Sequence, residues 1–179
     1  MKYDYDKIHI GYFGLVETDG SFVDEQIVKA QLREGYSKED AKWVHIFVSL
    51  GRMDEVSATT PTIKRRTLDA YKGRRIKFVS LKAIEHDPEL RGRVAAFCAS
   101  ESRKPYPVQS LLFWLLPKWM RGKSNWLSLR YSRFCSALID YGIIKGAFID
   151  LWPDHEFTVM PSRFSADPRF REIDCLLKK

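Results

Sequence analysis

Apolar and polar positions follow two different periods along this chain, and the switches between them mark its elements. Ile8-His9-Ile10-Gly11-Tyr12-Phe13-Gly14-Leu15-Val16 is an apolar run broken by glycines, the pattern of a buried strand that neighbours approach closely. Asp19-Gly20 makes a turn. Ser21 then caps a helix through about Leu32, with Val23, Ile27 and Leu32 inward, and Gly35 ends it; Ser37 begins a short second turn of helix. Trp43-Val44-His45-Ile46-Phe47-Val48-Ser49-Leu50 is rich in β-branched and aromatic residues and reads as a strand. Gly51-Arg52-Met53-Asp54 turns the chain into a partner strand, Glu55-Val56-Ser57-Ala58-Thr59-Thr60, closed by Pro61. Thr62 to Tyr71 reads as a short helical or irregular crossing. Arg75-Ile76-Lys77-Phe78-Val79-Ser80-Leu81 reads as a strand with one wet face.

In the second half, Asp87-Pro88-Glu89-Leu90 joins an N-cap, a proline at the first helical position and an early acid. It predicts a helix to about Ser100 that buries Val94 and Phe97. Val108 to Met120 is apolar and aromatic and is bent or ended by Pro117; it reads as a core helix, or as a greasy lip for an acyl chain or membrane surface. Lys123-Ser124-Asn125-Trp126 is a loop. Tyr131 to Gly142 has an amphipathic helical pattern, with Ser132 as N-cap, Phe134, Leu138 and Ile139 on one apolar side and Gly142 as the stop. Ala147 to Trp152 predicts a strand, Pro161-Ser162-Arg163-Phe164 a helical turn, and Phe170-Arg171-Glu172-Ile173 a last short strand. The strands come in a consecutive run from Trp43 to Leu81 and do not alternate with helices. This predicts an α+β fold with a central, mainly antiparallel sheet packed against helices, in a single domain over residues 1–179.

Composition narrows the picture. Hydrophobic residues at 45% and charged residues at 30% suit a globular chain with a real core, not a disordered one. No apolar run reaches transmembrane length, and Met1-Lys2-Tyr3-Asp4-Tyr5-Asp6-Lys7 does not read as a signal peptide. The expectation is a protein that stays in the cytoplasm of its producer, or one exported by a signal-independent route to act in a target periplasm. The net charge of +7 attracts anionic surfaces without choosing among them. The basic residues are dispersed and accompany no nucleic-acid motif, so no specific nucleic acid is expected. Cys98, Cys135 and Cys175 are odd in number and lack metal-ligand spacing. No disulfide framework, metal or organic cofactor is implied, and burial is expected for Cys98 and Cys175.

The candidate chemistry centres on Cys135, in the first turn of its helix. Unpaired N–H groups and the positive end of the helix dipole favour a thiolate there, although a small buried hydrophobe is the ordinary role of a free cysteine. A thiol nucleophile needs a base and an orienting partner. His86 beside a helix cap and His155 in a loop read as exposed, and His9 lies in the first run. His45, on the strongest strand, is the best base because a strand can hold it rigidly toward a helix packed across the sheet.

These residues resemble the circularly permuted branch of the NlpC-type papain-like cysteine peptidases and amidases. The likeness rests on Gly11 to Leu15, Trp43-Val44-His45-Ile46, Gly51, Val56-Ser57-Ala58 with Pro61, Lys104-Pro105-Tyr106, Phe134-Cys135-Ser136-Ala137-Leu138-Ile139 and Met160-Pro161-Ser162-Arg163-Phe164. It spans about residues 8 to 173, with histidine before cysteine. The resemblance implies a papain-like fold in which Cys135 attacks a carbonyl, His45 takes its proton and the Cys135 N–H helps hold the oxyanion. Tyr106 matches a tyrosine that lines the pocket or donates to the oxyanion. The family's orienting acid falls on Ser57, which carries no charge, with Thr60, Asp54 or Glu55 as alternatives, and its Cys-Ser-Glu acid is Ala137. The implied substrate is an amide in bacterial peptidoglycan peptides, in keeping with a secreted antibacterial effector that meets an immunity or secretion partner. Two other readings stand beside it. One is a lipid-directed thiol acyltransferase or phospholipase of the lecithin:retinol acyltransferase-like type, with membrane contact through Leu111 to Leu116. The other is a catalytically inactive binding module.

Overall fold

The computed structural model describes residues 3–59, 62–104, 135–153 and 159–175. Its strands are β1 (Phe13–Glu17), β2 (Trp43–Gly51), β3 (Asp54–Ala58), β4 (Ile63–Thr67), β5 (Ile76–Leu81) and β6 (Phe170–Ile173). They form one sheet in the order β4-β3-β2-β1-β5-β6, and every neighbouring pair is antiparallel. The helices are α1 (Phe22–Arg33), α2 (Lys38–Ala41), α3 (Pro88–Ser100), α4 (Cys135–Ala147) and α5 (Pro161–Ala166). The α+β class and the antiparallel sheet therefore follow the strand pattern. No helix among the described residues is long and apolar enough to cross a membrane.

Alternation along the strands divides the core in two. Leu15, Ile46, Val48, Val56, Ala58 and Val79 face the helices, where Val94 and Cys98 of α3 and Leu138, Ile139 and Ile143 of α4 cover them. Val16, Phe47 and Phe78 face the other way, under Leu68, Tyr71, Tyr3 and Ile8. Gly14 sits opposite Phe47, and a Cβ there would lie 2.0 Å from the Phe47 ring, so the glycine gives that ring its place over β1.

Local chemistry explains the helix starts. The Ser21 hydroxyl accepts from the Asp24 N–H, Ser37 from Asp40, and the Asp87 carboxylate from Leu90, each satisfying an orphan donor of the first turn. Pro88 follows Asp87 at the start of α3, as the cap pattern predicts, and Val94 is fully buried; Phe97 is only half-buried, edge-on to Tyr141.

Several expectations are corrected. The first strand is shorter than its apolar run, because Gly11 at φ +79° turns the chain just before Phe13. In α1 the buried positions are Ala30 and Gln31, while Val23 and Leu32 are exposed. The segment after Pro61 contains a strand, β4, followed by a 3₁₀ turn (Leu68–Tyr71); its Ile-Lys-Arg-Arg-Thr sequence suits a charged edge strand. β5 is almost wholly buried, since it lies between β1 and β6 with both faces covered. Gly142 does not stop α4. A Cβ there would lie 2.4 Å from Cys98 Sγ, and one on Gly146 2.6 Å from the Val94 backbone, so both glycines let α3 and α4 touch. The strand expected from Ala147 to Trp152 is absent: Phe148 takes φ +58° at the helix end, and Asp150 accepts from the Trp152 N–H in a tight turn. Pro61, the Val108 to Met120 run, the Lys123 to Trp126 loop, Ser132 and Phe134 lie outside the described residues.

Candidate functional site

The first residues of β2 and α4 meet at one end of the sheet, beside the first two turns of α1. A cavity of about 300 Å³ opens there. Its walls include His45 from β2, Cys135 and Ser136 from α4, Arg66 from β4, Tyr71 from the 3₁₀ turn and Arg74 just beyond it. Val23 and Ile27 of α1, with Val159, Met160 and Pro161, form an apolar wall. Cys135 and His45, singled out by sequence, therefore line one cavity. Tyr106 lies outside the described residues, as do Leu111 to Leu116, Thr60 and His155. His9 and His86 are exposed.

The two chemical groups approach the cavity from different sides of β2. Cys135 belongs to the helix-side core with Ile46, and the amides of Ile46, Ser136 and Cys135 itself point at its sulfur. His45 pairs with Val16 and alternates to the face of Phe47, where its ring lies 5.7 Å from that of Tyr71. Its Nε2 is buried without a hydrogen-bond partner.

Burial keeps both groups neutral. It raises the Cys135 thiol to about 11, against the smaller opposing effect of the three amides. It lowers His45 to about 3, with further lowering by the Arg66 and Arg74 guanidiniums. Both shifts oppose moving the thiol proton to the imidazole in this state. The thiolate expected from the helix terminus is thus corrected: desolvation outweighs the first-turn amides.

Ser57, the expected orienting residue, is fully buried and engaged elsewhere. Its hydroxyl donates to Glu55 Oε1 (3.4 Å) and accepts from Arg66 Nη2 (3.2 Å), so its bonds go to a network that leaves the imidazole aside. Glu55 is the centre of that network. Its Oε1 also accepts from Arg66 Nε at 2.9 Å and from the Tyr71 hydroxyl at 3.1 Å. Burial raises the Glu55 carboxyl above the usual carboxylate range despite the guanidinium beside it. The Tyr71 ring stacks on Phe47 at 5.3 Å and carries Arg66 over its face at 5.0 Å. Of the alternatives named for Ser57, Asp54 is taken by Arg65 on the surface (2.7 Å), and Glu55 meets the His45 side through Tyr71.

The sequence reading missed Arg66, Tyr71 and Arg74. Glu55 and Arg66 are directly opposed across β3 and β4, so reading β4 as a strand would have exposed their pairing. Gln31 was missed too: its amide donates to the Ala41 and Trp43 carbonyls and accepts from the Ser162 N–H, tying α1, β2 and α5 together. Ser136 donates to the Val159 carbonyl and secures the same wall from α4.

Comparison with protein-family models, with curated proteins and with solved structures gave no match.

Proposed function

We propose that the protein is a thiol hydrolase of permuted papain-like architecture that cleaves an amide through an acyl-enzyme. The observation that carries the reading is the convergence of Cys135, at the start of a helix, and His45, at the start of a strand, on one cavity. In the reaction, the Cys135 sulfur forms a bond to the substrate carbonyl carbon as its proton passes to the neutral imidazole of His45. The same proton leaves with the amine when the C–N bond breaks. Water then adds to the thioester, giving its proton to His45, and the acid departs as the thiol is restored. The amides of Ile46 and Cys135, which point at the resting sulfur, are the donors this reading assigns to the oxyanion. The resting groups are neutral, so the proton moves during attack, after substrate has changed the surroundings of both groups.

Peptidoglycan peptides are the substrate this reading favours, with delivery to a target periplasm as an effector and a partner protein for immunity or secretion. Digestion of purified peptidoglycan by the wild type and by Cys135→Ala, with fragments read by mass spectrometry, tests it. New fragments that require both Cys135 and His45 are expected. No fragments from folded protein would overturn the cell-wall substrate.

One observation favours a second reading, a lipid-directed thiol acyltransferase or phospholipase. Val23 lines the cavity that holds the thiol while staying 50% exposed, so the cavity presents an apolar side chain to the outside. Release of fatty acid from vesicles of mixed phosphatidylglycerol and phosphatidylethanolamine, dependent on Cys135, would establish it. An inactive binding module predicts neither product.

A further inference from the structure

Arg66 is held at the cavity wall more firmly than an edge-strand arginine ordinarily is. Its Nε is fixed by the fully buried Glu55, its Nη2 by the Ser57 and Tyr71 oxygens, and its central carbon lies 5.0 Å from the centre of the Tyr71 ring. Its Nη1, with two N–H groups, makes no hydrogen bond among the described residues. The side chain keeps 28% of its surface exposed and lines the cavity beside His45. The neighbouring Arg74 is turned away to other partners, with Nε on the Glu17 carbonyl, Nη2 on Asp24 and Nη1 paired with Asp19 at 3.5 Å. Asp24, which also lines the cavity, is turned to that guanidinium and to the Asp19 N–H. The same cavity is lined by the apolar side chains of Val23, Ile27 and Val159.

We propose that this cavity takes a substrate carrying a carboxylate, seated on Arg66 Nη1, with an adjoining apolar segment laid along Val23, Ile27 and Val159. The word substrate rests on the thiol-hydrolase reading; the binding site does not. A single guanidinium nitrogen suits a carboxylate oxygen, whereas a phosphate dianion calls for more donors than Arg66 has left. The charge has a further effect on the site. The groups facing His45 are the Tyr71 ring and the Arg66 and Arg74 guanidiniums, with Glu55 and Asp24 behind them. A carboxylate on Arg66 offsets the guanidinium potential that now disfavours a proton on His45.

Calorimetric titration of Cys135→Ala protein tests the proposal without requiring turnover. The probes are N-octanoylglycine, its neutral amide N-octanoylglycinamide, and octyl phosphate. N-octanoylglycine is expected to bind about tenfold or more tighter than the amide, the usual effect of a charge-assisted hydrogen bond. Arg66→Gln should erase that difference. Because Arg66→Gln leaves the buried Glu55 without its cation, the double variant Arg66→Gln with Glu55→Gln repeats the measurement with a neutral network. Equal binding of acid and amide, a preference that survives both variants, or tighter binding of octyl phosphate would overturn the proposal. Failure of peptidoglycan digestion with the carboxylate preference intact would remove the hydrolase reading and leave the site standing.

Discussion

Burying His45 neutral makes stability depend on pH in a direction opposite to that of an ion-paired histidine. Its folded value is about 3 against an ordinary 6.5. Stability from keeping it neutral is fully present above 6.5 and is lost as pH falls through the window between 6.5 and about 3. At pH 5 nearly every unfolded molecule carries the proton and the folded one does not, a penalty of about 2 kcal/mol relative to pH 8. Glu55 and Asp24, both raised by burial, act with the opposite sign, gaining folded-state protons as pH falls. The measurement must therefore be a difference. Urea unfolding of the wild type and of His45→Gln at pH 8 and pH 5 gives four midpoints. With a slope of about 2 kcal/mol per molar urea, the wild type should lose about 1 M more than the variant between the two pH values. A gap between the two proteins that stays constant from pH 8 to pH 5 would refute the neutral, desolvated imidazole.

Three further predictions rest on separate features. At pH 8 the native Cys135 thiol should react with iodoacetamide more than about 100-fold more slowly than a free cysteine, because so little is thiolate; mass spectrometry of labelled peptides reads the rate, and prompt labelling would contradict the buried thiol. Gly142→Ala places a methyl against Cys98 and should cost about 1–3 kcal/mol despite alanine's better helix propensity, seen as a melting temperature lowered by several degrees; an unchanged or raised melting point would mean that α3 and α4 are not in contact there. Asp87→Ala removes the α3 cap and should cost about 1 kcal/mol in urea unfolding, with Asp87→Asn restoring most of it.

Where a residue's local chemistry decides its conformation, the sequence was a sufficient guide. Ser21, Ser37 and Asp87 each cap the helix their spacing announces, and the apolar strand from Trp43 needed no tertiary help to be recognised. The departures arise where packing decides. Gly142 has the residue type of a helix stop but serves as a seat for Cys98, a role visible only once α3 is laid beside α4. β4 hid because its polar residues suit an edge, and whether a segment is an edge depends on which strands lie beside it. At the candidate site, the residue types pointed to Cys135 and His45, but the electrostatics could not be read in advance. A helix start says that amides are near a thiol; only the packing of α4 on β2 says that the sulfur is also dry.

The carboxamide of Gln31 gives the cavity a property set from outside it. This side chain is fully buried and touches no cavity space, yet it spans the carbonyls of Ala41 and Trp43 and the amide of Ser162. The wall bearing Met160 and Pro161 is thus tied through one side chain to the strand bearing His45. Selection acting on which molecules fit can then work through position 31 and the far half of α1, widening or stiffening the opening while every residue that meets a ligand stays the same.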